Sequence, residues 1–176
     1  MKRHFAIAAA FCLFLFTFAR AEEFQAAEYD ISIEAPSGWQ HDDKDHFGFV
    51  IFDPQSQNKK RKFRIHFPSG AASTPKEQAQ LSLNTINKRR EGKHPLERIQ
   101  CEKPVTTKTG IEGYLAAHGF IGEADRPYLN HYYFKIASGR IICVCVYLSG
   151  ANKEEEARLE NLILNTLQFL PQKNNG

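Results

Sequence analysis

Thr74-Pro75-Lys76-Glu77 spells out a helix start in full: a hydroxyl to cap, a proline suited to the first turn, and a carboxylate at the third helical position to close a capping box. Asn152 and Glu155 spell a second, and Glu154, Glu155 and Glu156 set negative charge at the positive end of that helix. In the first helix Ala79, Leu83, Ile86 and the stem of Arg90 share a face, with Gly92 as the expected stop. In the second the apolar side is Leu159, Leu162, Ile163, Thr166, Leu167 and Leu170, ending at Pro171. Two one-sided helices need a common apolar layer to lie on, so the rest of the chain must supply a sheet.

It does so by alternation. Tyr29, Ile31, Ile33 and Ala35 alternate with polar neighbours before Pro36-Ser37-Gly38 stops the strand at Trp39. Phe47 to Phe52 is an aromatic and β-branched run, and Phe63, Ile65 and Phe67 alternate with Arg64 and His66, which predicts a hairpin. Leu96 to Thr106, Gly110 to Ile121, Tyr128 to Ala137 and Arg140 to Leu148 read as an antiparallel meander, its last two strands joined at Ser138-Gly139. The predicted architecture is an α/β (α+β) sandwich with a largely antiparallel central sheet of six or seven strands flanked by two main helices. It forms one domain over 22–170, followed by a polar tail at 171–176.

Residues 1–21 lie outside that domain. Lys2, Arg3 and His4 precede an apolar run from Phe5 to Phe18 that closes on Ala19-Arg20-Ala21, the pattern of a cleaved secretory signal. The run is shorter than the roughly twenty residues a membrane span requires, so no permanent transmembrane anchor is expected. Cys12 sits inside the run behind the bulky Phe11, which argues against lipid attachment. Lys2, Arg3 and Arg20 account for the whole net charge of +3, so the mature chain is neutral and nucleic acid is not an expected partner. The mature protein is expected in the bacterial periplasm or secreted. Lys59-Lys60-Arg61-Lys62 follows a polar turn and is read as a solvated hairpin tip, with an anionic partner site as the alternative.

This order of elements resembles the PsbP-like and Mog1-like family, with the bacterial exported domains grouped with it. The resemblance covers roughly residues 26 to 170. It rests on Tyr29-Asp30-Ile31-Ser32-Ile33-Glu34-Ala35-Pro36-Ser37-Gly38-Trp39, the aromatic second strand, the Thr74-Pro75-Lys76-Glu77 start, Tyr132-Tyr133-Phe134, Ile141-Ile142-Cys143 and the Glu-rich terminal helix. It implies a binding or assembly module and supplies no catalytic motif.

Chemistry-bearing residues are sparse. Cys143 and Cys145, two apart on one strand face with Ile141 and Tyr147, admit a metal clamp or redox pair; about 7 Å between their side chains in an extended strand argues against a mutual disulfide. Cys101 can join one of them in a disulfide, or all three stay reduced in the core. His41, Asp43, Asp45 and His46 form a weak oxygen and imidazole metal candidate in a polar loop walled by Trp39 and Phe47. No His-Glu-x-x-His or Gly-x-Ser-x-Gly occurs, and no cofactor is expected. The expected function is a noncatalytic exported interaction module that binds a protein or envelope component through Trp39, Lys60, Arg61, Glu123, Asp125, Arg126 or Tyr128. The alternative is an envelope hydrolase or small-ligand-binding protein whose cleft joins His118 and His131 to an acid such as Glu123 or Asp125.

Overall fold

Thr74 caps its helix as the sequence requires: its hydroxyl accepts from the Glu77 amide at 3.2 Å, and the Glu77 carboxylate accepts from the amides of Thr74 at 3.2 Å and Ser73 at 3.1 Å. Helix α1 runs Pro75–Arg90 and ends at Glu91. This geometry comes from a computed structural model that describes residues 21–42, 46, 48–56, 61–91, 96–121, 129–148 and 153–170. Residues 1–20, Gly92, Asn152 and residues 171–176 fall outside the described residues.

Ten strands are described: β1 Glu22–Ala26, β2 Ile31–Ala35, β3 Gln40–Asp42, β4 Phe49–Phe52, β5 Arg61–His66, β6 Glu97–Thr106, β7 Glu112–Phe120, β8 Leu129–Lys135, β9 Ile141–Leu148 and β10 Gln168–Phe169. Helix α2 spans Lys153–Thr166. Seven strands form one antiparallel sheet in the order β3-β4-β5-β9-β8-β7-β6, and β1-β2-β10 form a small second sheet. The expected hairpin and meander are both present. Gly139, at φ +81°, makes the tight reversal between β8 and β9, and its amide donates to the Ile136 carbonyl at 2.9 Å.

The two faces of the large sheet are covered differently. Ile51, Phe63, Ile65, Ile142, Val144 and Val146 point to one face, where they meet β2 and the α2 residues Leu159 and Ile163 in a single buried core. Arg61 of β5 binds Glu155 at 3.1 Å and Lys103 of β6 binds Glu160 at 2.9 Å, so α2 is tied to strands on both sides of the sheet. The other face carries α1, which packs chiefly on β6, β7 and β8, with Ala79 also meeting Ile141, Cys143 and Cys145 of β9.

Four elements depart from the sequence reading. Ala27–Tyr29 form a 3-10 turn closed by Asp30 at φ 55°, so the strand read from Tyr29 begins at Ile31. Polar Glu22–Ala26 forms β1, which pairs along β2. The loop expected at 41–46 begins as edge strand β3, paired with β4. The second helix stops at Thr166 instead of Leu170, because Gln168 and Phe169 pair with Ser32 and Ile31 and the Leu170 amide donates to the Asp30 carbonyl at 2.9 Å. Tertiary pairing there replaces the helical bonds that periodicity favoured. Among the described residues no helix is long and apolar enough to cross a membrane.

Candidate functional site

Helix α1 lies chiefly on β6, β7 and β8, its Ala79 reaches the buried Ile141, Cys143 and Cys145 of β9, and beyond that contact the same face of β9 and β5 borders a cleft. Strand register fixes what stands there. His66 pairs with Cys143 and Arg64 with Cys145 across β5 and β9, while His131 pairs with Cys145 and Tyr133 with Cys143 across β8 and β9. Directly paired residues project to the same face. Two thiols therefore sit between two imidazoles contributed by different strands.

The cluster floors a cleft of about 590 Å³ bounded by Arg64, His66, Cys145, Tyr147 and His131 from the sheet and by Ile86, Arg89 and Arg90 from α1. Cys143 Sγ and Cys145 Sγ are 3.6 Å apart, and Cys145 Sγ is 3.8 Å from His66 Nδ1. The sulfurs are far closer than the spacing of extended side chains suggests, since both lean toward one another. His131 also hydrogen-bonds Cys145, and its Nδ1 pairs with the Tyr133 hydroxyl at 3.2 Å. Arg64 and Lys62 lie over the Tyr147 ring at 5.6 and 4.8 Å, which closes the outer edge.

Behind the thiols runs a second polar chain. Arg90 binds Glu97 at 2.8 Å, Glu97 binds His118 Nδ1 at 3.0 Å, and the His118 ring lies 4.4 Å from that of His131. Glu97 and His118 are 3% and 0% exposed, so the inner part of this chain is buried while Arg90 reaches the cleft. Asn87 fixes it to α1 by accepting from the Glu97 amide at 2.7 Å and donating to the Glu97 carbonyl at 2.9 Å.

These surroundings set the proton affinities. Burial resists ionisation of Cys145, but the hydrogen bond from Cys143 and the adjacent His131 and His66 outweigh it and hold this thiol well below the usual range. Burial, reinforced by Cys145, pushes the Cys143 thiol well up. Burial also lowers His118, against the pull of Glu97, whereas His131 rises despite burial because Cys145 lies beside it. The Tyr147 phenol is pushed up to about 12, chiefly by burial. One sulfur of the pair is thus primed as a thiolate ligand or nucleophile.

The other sequence candidates are dispersed. Cys101 is exposed on β6, three strand spacings or roughly 14 Å from β9, whereas a disulfide needs its Cα atoms within about 7 Å. The proposed bond to Cys143 or Cys145 is therefore out of reach, and all three thiols are free. Trp39 is half-buried with its ring 5.1 Å from Phe63. Arg61 is engaged by Glu155. His41 stacks on Phe49 at 5.8 Å on edge strand β3, while His46 borders the cleft, so the imidazoles of that loop have separate settings. Asp43, Asp45, Lys60, Glu123, Asp125, Arg126 and Tyr128 lie outside the described residues. His118 and His131 do come together, but the acid they share is Glu97. Sequence reasoning passed over Glu97 and His66; the one available signal was that Cys143 and Cys145 share a strand face, while His66 sits at a polar position of its strand.

No protein-family model matches the sequence and no curated protein matches it. Solved structures do match. The solution structure of cyanobacterial PsbP from Synechocystis sp. PCC 6803 superposes with a TM-score of 0.61 at 12% identity, covering 88% of this chain and 95% of that one. A point mutant of the protein Mog1 gives a TM-score of 0.50 at 10% identity, covering 87% and 97%. At such identities the likeness concerns the fold alone: the chain has the PsbP/Mog1-like fold, an α/β sandwich over most of its length.

Proposed function

We propose that this chain is an exported, noncatalytic binding module that holds a protein or envelope component in the cleft beside α1. The observation that carries the reading is the cleft at the edge of α1: a concave site of about 590 Å³ walled by Arg64, Arg89 and Tyr147 on a fold whose opposite face is filled. Rigid strands with arginine and aromatic side chains at the rim suit recognition of an anionic partner group. The leader supports an envelope location, in which the mature chain starts at Glu22. Intact-mass measurement of the protein recovered from cell fractions tests export. Proximity capture from intact cells compared with Arg89→Glu, an exposed change expected to leave melting unaltered, tests the cleft; an identical capture profile for both removes the cleft from recognition.

A second reading has its own observation. The Cys145–His131 contact, backed by Glu97 and His118, gives a small-ligand or hydrolytic cleft a nucleophile, a base and a buried acid. Turnover of activated esters and thioesters by the protein, lost in Cys145→Ser and His131→Ala, would favour it. Equal background rates in all three would eliminate it.

A further inference from the structure

We propose that Cys143, Cys145 and His66 form a binding site for a thiophilic d10 cation, Zn(II) or Cu(I), with the remaining coordination position open to the cleft. Donor type comes first: two sulfurs and an imidazole are the soft set that selects these ions over Mg(II) or Ca(II). Geometry comes second. A tetrahedral ion with Zn–S of about 2.3 Å and Zn–N of about 2.0–2.1 Å spans edges of about 3.8 Å between sulfurs and about 3.6 Å between sulfur and nitrogen. The corresponding distances are 3.6 Å for Cys143 Sγ to Cys145 Sγ and 3.8 Å for Cys145 Sγ to His66 Nδ1, and the three donors lie within 4.8 Å of one another. Two edges of the triangle match within about 0.2 Å, and the third, between Cys143 and His66, is no longer than 4.8 Å.

The surroundings of the triangle are those of a ligand site. Tyr133 hydrogen-bonds Cys143 and His131 hydrogen-bonds Cys145, so each sulfur has an outer donor that orients it. His66 and Cys145 both border the cleft, which gives the ion an entry path and leaves room for a ligand from solvent. The two sulfurs touch at 3.6 Å as free thiols, close enough to ligate one ion together. The inference does not depend on export or on the identity of a macromolecular partner.

The test uses the full mature protein, prepared reduced and metal-free, titrated with Zn(II) against a colorimetric chelator and with Cu(I) against a bicinchoninate complex. One ion per chain is expected, with X-ray absorption showing two sulfur scatterers and at least one imidazole. Zn(II) should give four-coordinate and Cu(I) three-coordinate geometry, and the tighter competitor identifies the preferred ion. Removal of an outer-shell partner commonly weakens such sites about 10–100-fold, so Cys145→Ser and His66→Gln should weaken binding at least about 100-fold. His66 is only half-buried, so His66→Gln carries the test if the serine variant fails to fold. Tyr133→Phe is expected to cost about 10-fold with both ligands intact. Three outcomes overturn the proposal: no one-to-one binding of either ion, binding indifferent to His66→Gln in a folded protein, or a Cys143–Cys145 disulfide in metal-free protein alkylated at the moment of cell lysis.

Discussion

Removing the Glu97 carboxylate tests whether the buried chain behind the thiols holds α1 in place. In Glu97→Ala two of the carboxylate's contacts that disappear carry the argument. His118 Nδ1, on a fully buried ring, loses its acceptor, and a buried polar group left without a partner costs about 1–3 kcal/mol. Arg90 also loses its partner, but its side chain is 29% exposed and can rehydrate, so that share is about 1 kcal/mol. The Asn87 bonds survive because they engage the Glu97 main chain. The expected loss is about 3 kcal/mol, which for a domain of this size lowers Tm by about 6–12 °C. Urea unfolding of metal-free, reduced protein should show the midpoint falling at constant slope. Arg90→Ala alone should cost about 1 kcal/mol, and the double variant should cost less than the two single losses together. If Glu97→Ala melts with the parent protein, or if Arg90→Ala is equally damaging, the energetic weight of this chain has been misassigned.

Thr74→Ala deletes one half of the capping box and should destabilise the protein by about 1 kcal/mol in urea unfolding, with no change in cleft binding. Trp39→Ala removes a ring that is only half-buried against Phe63, so about 2 kcal/mol is expected where a fully buried tryptophan would cost about 3–5; a melting scan checks it. His118 is kept neutral by burial, so above about pH 6.5 neither the folded nor the unfolded form binds its proton, and below that value the unfolded form alone gains one. Its contribution to stability is therefore intact above about pH 6.5 and falls as pH drops toward the lowered folded value. His131 acts with the opposite sign, so the decisive comparison is parent against His118→Gln, whose acid-side slope should be flatter.

Local signals were legible and lateral ones were not. The Thr74 capping box, the Ser138-Gly139 reversal and the meander each depend on residues a few positions apart, and all are present in the structure. Alternation also showed that Cys143 and Cys145 share a face. What it could not show is that β5 lies beside β9, the pairing that brings His66 to the thiols from 79 residues away in the case of Cys145. Glu97 was invisible for the same reason: a glutamate opening a strand looks solvated until β7 places His118 and α1 places Arg90 against it. β10 escaped notice because Leu167 and Leu170 fit the helical stripe, and only the Ser32 and Ile31 edge of β2 ends the helix early.

The location of the cleft follows from widths. Seven strands at about 4.8 Å spacing put the outer axes about 29 Å apart, whereas a helix with its side chains is about 10–12 Å across. The single helix α1 can cover two or three strands, and it covers β6 to β8. On the opposite face α2 and the small sheet together span the remainder, and the residues there are Phe63 and Ile65 of β5 and Ile142, Val144 and Val146 of β9. On the face left half-covered the same two strands present Lys62, Arg64 and His66, and Cys143, Cys145 and Tyr147. One pair of adjacent strands thus carries an apolar side under α2 and the small sheet and, on its other side, donor groups that run from the buried Cys143 and Cys145 beside α1 to the half-buried Arg64 and His66 at the cleft. Arg64, His66 and Tyr147 stand where α1 gives out, so the limited width of the helical layer and the donor cluster at its edge are two aspects of one arrangement.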